Sequence, residues 1–497
     1  MVLVRPDGRV LWVRRGEQLR FSAGFYAFPG GGVDVEDAGV PLQNGEALDT
    51  AETPCVAAAA RELFEETGVL AVPGAARVSH EERKAVREGL LSRPPTVSFG
   101  DFLARHQLKV DARQFAPAGR WVTPQAMPIR FDARFYLVEL PEGEEAEIWP
   151  GELTMGEWIV PEEALRRWES GAALLHPPAW HTLKSLAHAA AKKSPPRDAL
   201  PLLTAPGKAP WGLPMDEHIV QRIEFQRGLL LVPLRTPTLP PATHTNCFLL
   251  GDDELWVVDP GSPWPEEQAI LRDTLDRLSA EGRRPVGVLL THHHVDHIGG
   301  AQVLGLPIAA SAETAALLDF KVDRLLRDGD RLEVGPRGWR ALHLPGHTRG
   351  HLCLIENGSG AVIAGDLVAG VGTVIIDPPE GDMADYLASL DRLLGEKPGA
   401  IFPAHGPVVP GGVLKLEQYR AHRQEREALV LAALSKREGP ASPAQLVAAA
   451  YPDVTPALYP YAERSLLAHL YKLAREGRAE QVGDGFRLQA RSPKPEA

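Results

Sequence analysis

The chain opens on two short apolar runs, Val2-Leu3-Val4 and Val10-Leu11-Trp12-Val13, separated by Pro6-Asp7-Gly8. That pattern predicts two strands joined by a turn. The texture becomes helical from Val56 to Thr67 and again from Pro161 to Ser170. Residues 192 to 216 read KKSPPRDALPLLTAPGKAPWGLPMD, with six prolines and two glycines in 25 residues. Proline denies a helix interior its hydrogen bond and a strand its ladder, so this segment is predicted as the main linker. Beyond it, strand-like runs alternate with helical ones. From Leu414 to Ser435 a charged, then apolar, helical pattern takes over. Two further helices are predicted, Pro443 to Ala450 and Ala462 to Glu476, and then a hairpin in AEQVGDGFRLQ with Gly-Asp-Gly at its turn. Three helices and a hairpin in so short a span predict a small winged-helix-like α+β domain. No period of repeat length is present.

The expected organisation is therefore multidomain α/β. It has a first domain over 1–191, a Pro-rich linker over 192–216, a second domain over 217–424, a winged-helix-like domain over 425–490 and a tail over 491–497.

Composition narrows the classes. The 497 residues are 44% apolar and 24% charged, as in an ordinary soluble globular protein, and their number allows several domains. The formal net charge is −12. An acidic chain is a poor non-specific nucleic-acid binder, which argues against a DNA-binding regulator. Three well-separated cysteines, Cys55, Cys247 and Cys353, form no C-x-x-C pair and fit a reducing cytoplasm better than a disulfide framework or a thiolate zinc site. No run of ~20 apolar residues predicts a membrane span. The first residues lack the apolar core and cleavage site of a signal peptide. A strand so near Met1 suggests that the true start lies upstream. The abundance of alanine, arginine, glycine and proline suggests a bacterial source of high GC content.

The C-terminal half carries the strongest chemistry. Residues 285 to 300 read PVGVLLTHHHVDHIGG, a buried-strand signal followed by His292, His294, Asp296 and His297. Imidazole is a good zinc ligand, and a carboxylate adds negative charge. Two histidines one residue apart can point the same way from a looping backbone. Gly299 and Gly300 permit tight turning or close packing. LPGHTRGH supplies His347, AVIAGDLV supplies Asp366, and AIFPAHGPV supplies His405, each after a strand-like run. Ligands at the ends of successive strands converge on one edge of a sandwich, where loops carry function.

These residues resemble the H-x-H-x-D-H signature of the metallo-β-lactamase superfamily. More narrowly, residues 243 to 480 are similar to the beta-lactamase-like protein 2 family. Thr245-Asn246 before Cys247-Phe-Leu-Leu-Gly, the DGDRLEVG segment, GVGTVIIDPPEGDMADYLASLDRL and the terminal AHRQERE helix carry that likeness. The resemblance implies an αββα sandwich and two zinc ions. His292, His294 and His347 would hold the first ion, Asp296, His297 and His405 the second, and Asp366 would bridge them. Two such ions ~3.5–4 Å apart activate a bridging water for attack on a phosphoryl or carbonyl centre, with Asp296 in the catalytic machinery. His351 is either a proton donor or a support of its loop.

In the N-terminal half, Arg61-Glu62-Leu63-Phe64-Glu65-Glu66-Thr67-Gly68-Val69 places Glu62, Glu65 and Glu66 on one helix face. Three packed carboxylates repel unless a cation sits between them, and hard oxygen ligands suit Mg²⁺ or Mn²⁺. Phe28-Pro29-Gly30-Gly31-Gly32 upstream is a turn that brings substrate close to the backbone. The pattern resembles the Nudix hydrolase box, which implies an α/β/α sandwich, Glu62, Glu65 and Glu66 as metal ligands and Glu65 as a catalytic residue. The second half of the box matches at every defined position. The first half departs: Gly31 lies 30 residues before Arg61, so the box carries an insertion, and the glutamate expected eight residues before Arg61 is Thr53, with Glu52 adjacent. The upstream run from Arg15 through Gly16, Arg20 and Gly24 to Phe28-Pro29-Gly30-Gly31 is similar to the motif of Nudix enzymes that cleave coenzyme A. That likeness implies phosphate binding by Arg15 and Arg20, whose guanidinium groups suit bidentate contact, and substrate contact at Gly30 and Gly31.

Two functional expectations follow. One is a fused enzyme with a zinc site that cuts an RNA phosphodiester or a thioester and a Nudix site that cuts a diphosphate-linked substrate such as coenzyme A or acyl-coenzyme A. The Gly346-His347-Thr348-x-Gly350-His351 pattern, which also looks like glyoxalase II, supports the thioester. The other makes the Nudix half a nucleotide sensor that regulates a C-terminal endoribonuclease acting on single-stranded RNA. Neither expectation includes a membrane partner.

Overall fold

The computed structural model describes residues 1–19, 22–46, 48–125, 129–149, 151–335 and 337–489. The chain divides into two compact units, Met1–Leu230 and Leu231–Ala497.

The first unit is built on one mixed sheet. Val10–Arg15 pairs antiparallel with Val2–Val4, Tyr26–Ala27 and Leu153–Ile159. Val2–Val4 runs parallel to Asp132–Glu139, which pairs with Ala116–Val122. Because successive side chains of a strand point to opposite faces, the same two strands feed two cores. Leu3, Leu11 and Val13 pack with Val56, Leu63, Phe64 and Phe102 on one face. Val2, Val4, Val10 and Trp12 pack with Leu165, Trp168, Leu183 and Leu186 on the other. The result is an α/β/α sandwich. The glutamate-bearing helix spans Glu52–Thr67 and ends at Gly68, whose left-handed φ of 72° returns its N–H to Phe64 O. Glycine adopts that conformation without a Cβ penalty.

The segment expected as a linker is folded. Pro196–Ala199 and Leu200–Thr204 are helical turns. Ala199 and Leu203 are completely buried in the second core, and Met215–Asp216 and Ile219–Val220 extend the sheet. Pro196, Pro201 and Pro206 sit in first helical turns, where no backbone N–H is needed. The unit boundary thus falls at 230, not in the proline-rich stretch, and the expected start of the second domain at 217 lies inside the first unit.

The second unit is an αββα sandwich. One sheet runs Leu229–Arg235, His244–Leu250, Glu254–Val258, Arg284–Leu289, Ile308–Ser311, Arg324–Leu326. The other runs Arg331–Leu332, Trp339–His343, Leu352–Glu356, Val362–Gly365, Ile401–Pro403. Phe248 and Phe402 meet edge to face between the sheets, centroids 6.0 Å apart. The winged helix has its own core of Leu446, Leu466, Leu470 and Phe486. The expected boundary at 425 falls within one continuous helix, Gly412–Ser435. Leu416 and Tyr419 of that helix pack in the sandwich core, while Val430 and Leu434 pack in the winged-helix core. The tail 491–497 lies outside the described residues. No helix among the described residues is long and apolar enough to cross a membrane, and the three cysteines are free.

Candidate functional site

Four strand ends of the sandwich deliver the expected C-terminal residues to one place. His292, His294, His347 and Asp366 form one donor set, and Asp296, His297 and His405 form a second, with donor atoms within 4.8 Å in each. In the first, His294 Nδ1 lies 3.0 Å from His292 Nε2 and 3.1 Å from His347 Nε2. In the second, His405 Nε2 lies 3.3 Å from Asp296 Oδ2. Asp366 joins the sets through its two oxygens: Oδ2 is 3.5 Å from His347 Nε2, and Oδ1 is 3.4 Å from His405 Nε2 and 3.7 Å from His297 Nε2.

Each histidine but His294 is oriented by the nitrogen it turns away from this centre. His347 Nδ1 meets Ile375 O at 2.9 Å, and His405 Nδ1 meets His244 O at 3.0 Å. His292 Nδ1 faces Thr291 Oγ1 at 3.0 Å. Asp259, buried behind the site, accepts from Thr291 N and Oγ1 and from His297 Nδ1 at 2.6–2.8 Å. Such partners fix tautomer and ring orientation. What remains is a set of buried atoms with charged neighbours but no hydrogen-bond partner: His297 Nε2, His405 Nε2 and Asp366 Oδ1. Orphaned buried polar atoms are costly, and a divalent cation would satisfy all three. The donor set thus fits a pair of metal ions.

Electrostatics agree. Burial pushes His292 well down and His294 down to about 3, which leaves both neutral and able to ligate. Burial would lower His297 too, but Asp366, Asp259 and Asp296 outweigh it and hold that ring well above its ordinary value. His405 is raised in the same way, chiefly by Asp366. Gly299 and Gly300 pack where no Cβ fits: a Cβ would lie 2.6 Å from Gly261 O or from Pro260 O.

His351 does not face this centre as a proton donor. It is fully buried, and its Nε2 accepts the Asp366 N–H at 3.0 Å. That bond holds the backbone that carries Asp366. Asp259 was missed in the sequence; its signal is its place at the end of the strand Glu254–Val258, like Asp366 after Val362–Gly365.

The first unit holds a second site. Glu62, Glu65 and Glu66 line a cavity of about 380 Å³ whose other wall includes Leu90, Val97, Phe99 and Trp149. Burial raises all three carboxyls, Glu62 to about 7 and Glu66 to about 8. Arg61 Nη1 donates to Glu62 at 2.9 Å and to Glu65 at 3.2 Å. Glu66 Oε2 instead accepts from Gly30 N at 2.7 Å. Among the described residues, the three glutamates do not gather as tightly as the histidine–aspartate sets, because Arg61 draws two and the glycine turn holds the third. Gly31 lies against Glu62, and a Cβ there would lie 2.3 Å from Glu62 Oε1. Gly30 thus holds a carboxylate through its N–H, and Gly31 lines the cavity.

The insertion explains the departure in the box. Glu52 is tied to Arg134 at 2.6 Å and Tyr136 at 2.8 Å, away from Arg61. Asp37, in the short helix Val35–Gly39, holds Arg61 with two hydrogen bonds of 2.8 and 2.9 Å. The extra residues thus follow Asp37, and an acid close after Gly31 was the signal to find it. Arg15 ends the strand Val10–Arg15 and carries a buried Nε without a hydrogen-bond partner. Arg20 lies outside the described residues.

Three family models match the chain. The model of the metallo-beta-lactamase superfamily matches residues 240–311 and 307–405, that of the beta-lactamase associated winged helix domain 442–487, and that of the NUDIX domain 1–177. The chain is 31% identical over 260 residues to a beta-lactamase-like protein 2 homolog of Drosophila melanogaster, which spans 49% of this chain and 86% of that protein. It is 30% identical over 265 residues to an atrochrysone carboxyl ACP thioesterase of Aspergillus fumigatus, covering 49% of this chain and 79% of that protein. A crystal structure of a NUDIX hydrolase from Alicyclobacillus acidocaldarius matches at 28% identity and a TM-score of 0.35, covering 41% of this chain and 94% of that one.

Proposed function

We propose that this chain, which belongs to the metallo-beta-lactamase superfamily beside beta-lactamase-like protein 2 and carries a NUDIX domain ahead of that fold, acts on acyl thioesters of the coenzyme A type. It is a metal-dependent hydrolase. On this reading the C-terminal site hydrolyses the thioester and the NUDIX site hydrolyses the diphosphate. The observation that carries it is Asp366, whose two oxygens face one donor set each. That arrangement suits a dinuclear zinc centre, with His292, His294 and His347 on one ion and Asp296, His297 and His405 on the other. When bound, such a pair supplies a nucleophile at neutral pH and polarises the bond to be cut. The chain's own residues orient the ligands: Asp259 holds His297, Ile375 O holds His347, and His351 holds the Asp366 backbone. The thioester is favoured by the name of the Aspergillus relative.

At the NUDIX site, Glu62, Glu65 and Glu66 would hold Mg²⁺ or Mn²⁺ and Arg15 would meet phosphate. The apolar wall of Leu90, Val97, Phe99 and Trp149 suits the organic arm of a coenzyme A-like diphosphate. Three free thiols fit a reducing cytoplasm. One observation favours a second reading, in which this half binds its nucleotide without turnover: Arg61 already pairs with two of the three glutamates.

A product assay on the full-length protein tests these readings. Coenzyme A, acetyl-coenzyme A and a short single-stranded RNA are offered with Mg²⁺ and with Zn²⁺. Wild type is compared with Glu65→Gln and His294→Ala. Phosphopantetheine release lost only in Glu65→Gln, and thioester cleavage lost only in His294→Ala, are the expected results. RNA cleavage lost in His294→Ala, with the thioester untouched, would replace the thioester by a phosphodiester. Tight nucleotide binding without turnover would make the NUDIX half a sensor.

A further inference from the structure

The backbone between residues 374 and 377 connects the winged helix to a metal ligand. His347 is oriented by its Nδ1 on Ile375 O, 2.9 Å away. Every neighbour of Ile375 in that stretch is held from outside. Val374 O accepts from Arg423 Nη2 at 2.6 Å. Ile376 N donates to Ser465 Oγ at 3.1 Å. Asp377 pairs with Arg464. Arg423 lies on the long helix Gly412–Ser435, and Arg464 and Ser465 lie on the winged-helix helix Tyr459–Arg475.

The same helix reaches the other side of His347. Arg475 pairs with Asp382 at 2.6 Å, and Asp382 N donates to Gly346 O at 2.8 Å, one residue before the ligand. Gly346 packs closely against the Tyr386 backbone: a Cβ there would lie 2.3 Å from Tyr386 Cα. Between these polar ties, Ala468 packs with Val374 and Ile376 in the core of the sandwich. Positions 464, 465, 468 and 475 fall on one helix face. The winged helix thus spends one face of this helix on the two segments that carry and orient His347. Arg423, Ser465, Val374 and Ile376 are buried, so these bonds are made out of reach of water, where an unmade one is costly.

We infer that the helix Tyr459–Arg475 is a brace for the first metal set and that Ser465 is a positioning residue, acting on His347 through Ile375. The inference rests on the reading of His347 as a metal ligand. It gives the small domain a function inside the hydrolase that requires no nucleic acid. Partners that hold a ligand from behind are worth ~10–100-fold in metal affinity when lost.

The test is stepwise loss of Zn²⁺ from the loaded full-length protein to a competing chelator, with ions per chain counted at each step. Alongside it, the visible spectrum of the Co²⁺-substituted protein is recorded. Ser465→Ala leaves Ile376 N–H without its acceptor. It is expected to release one ion ~10-fold more readily than wild type, to leave the other unchanged, and to alter the Co²⁺ bands. Ser465→Thr keeps the hydroxyl and is expected to restore both readouts. Arg464→Gln, at a half-exposed position, repeats the test should Ser465→Ala fail to fold. Leu446→Ala weakens the winged-helix core without touching residues 374–377, and is expected to lower the melting temperature while leaving ion release as in wild type. Wild-type ion release and Co²⁺ bands in both Ser465→Ala and Arg464→Gln would overturn the brace. Equal loosening by Leu446→Ala would overturn it too, because mere destabilisation would then account for the effect. If wild type holds no ions that His294→Ala removes, the ligand reading itself fails, and the brace falls with it.

Discussion

Replacing Glu66 by glutamine should stabilise the metal-free protein while disabling its NUDIX site. Glu66 is partly buried, and desolvation, aided by Glu62, raises its carboxyl from an ordinary 4.5 to about 8. Below pH 4.5 the group is protonated whether the chain is folded or unfolded, and it contributes nothing to pH dependence. Between pH 4.5 and 8 the folded chain holds a proton that the unfolded chain has released. Stability therefore falls as pH rises through that window. At pH 7 the loss amounts to 2.5 pH units at 1.36 kcal/mol each, or about 3 kcal/mol. Glutamine has the shape of the protonated acid, still accepts from Gly30 N, and has no proton to lose. In excess EDTA, Glu66→Gln should raise the melting temperature of the first unit by about 6–12 °C at pH 7, from ~2–4 °C per kcal/mol. At pH 4.5 the two proteins should melt together. With Mg²⁺ the order narrows or reverses, because only the glutamate gains from the cation. The assay is calorimetry of the full-length chain at both pH values. A melting temperature that drops equally at pH 4.5 and 7 would refute the reasoning, since the carboxyl would then be acting as a structural hydrogen-bond partner and not as a buried charge.

Other outcomes follow from the same geometry. Asp259→Ala should weaken ion binding at the set containing His297 by about 10–100-fold, read by chelator competition, with the other ion retained. Lower pH should release that same ion first: His297 and His405 hold protons above their ordinary values, so a cation must displace them, and ions counted after dialysis from pH 7 to pH 5 should show it. Leu203→Ala should cost the first unit about 2–5 kcal/mol in thermal or denaturant unfolding, whereas a true linker residue would cost nothing. Asp37→Asn should loosen Arg61 and lower diphosphate turnover, while Glu52→Gln, on the far side, should leave turnover near wild type.

Much of this protein is written locally. Candidate ligands at strand ends are legible because a buried strand, its terminating turn and the donor residue are neighbours in the chain, as at Thr291-His292 and Gly365-Asp366. Helical periodicity placed Glu62, Glu65 and Glu66 on one face for the same reason. What escaped the sequence depends on partners far apart in it. The proline count of 192–216 misread a folded segment, because whether a proline breaks a helix depends on its place in the turn and Leu203 is fixed by a core over 100 residues away in Val2 and Trp12. Nothing near Thr53 reveals that Asp37 binds Arg61. Nothing near His351 reveals that its ring holds the Asp366 amide, and nothing near Ser465 reveals a link to His347. The sequence by itself determined which residues are candidates for the chemistry, since that follows from residue type and local period. Only the tertiary structure decided which way each one faces and what holds it, since orientation is set by hydrogen bonds and packing that close only when distant segments meet.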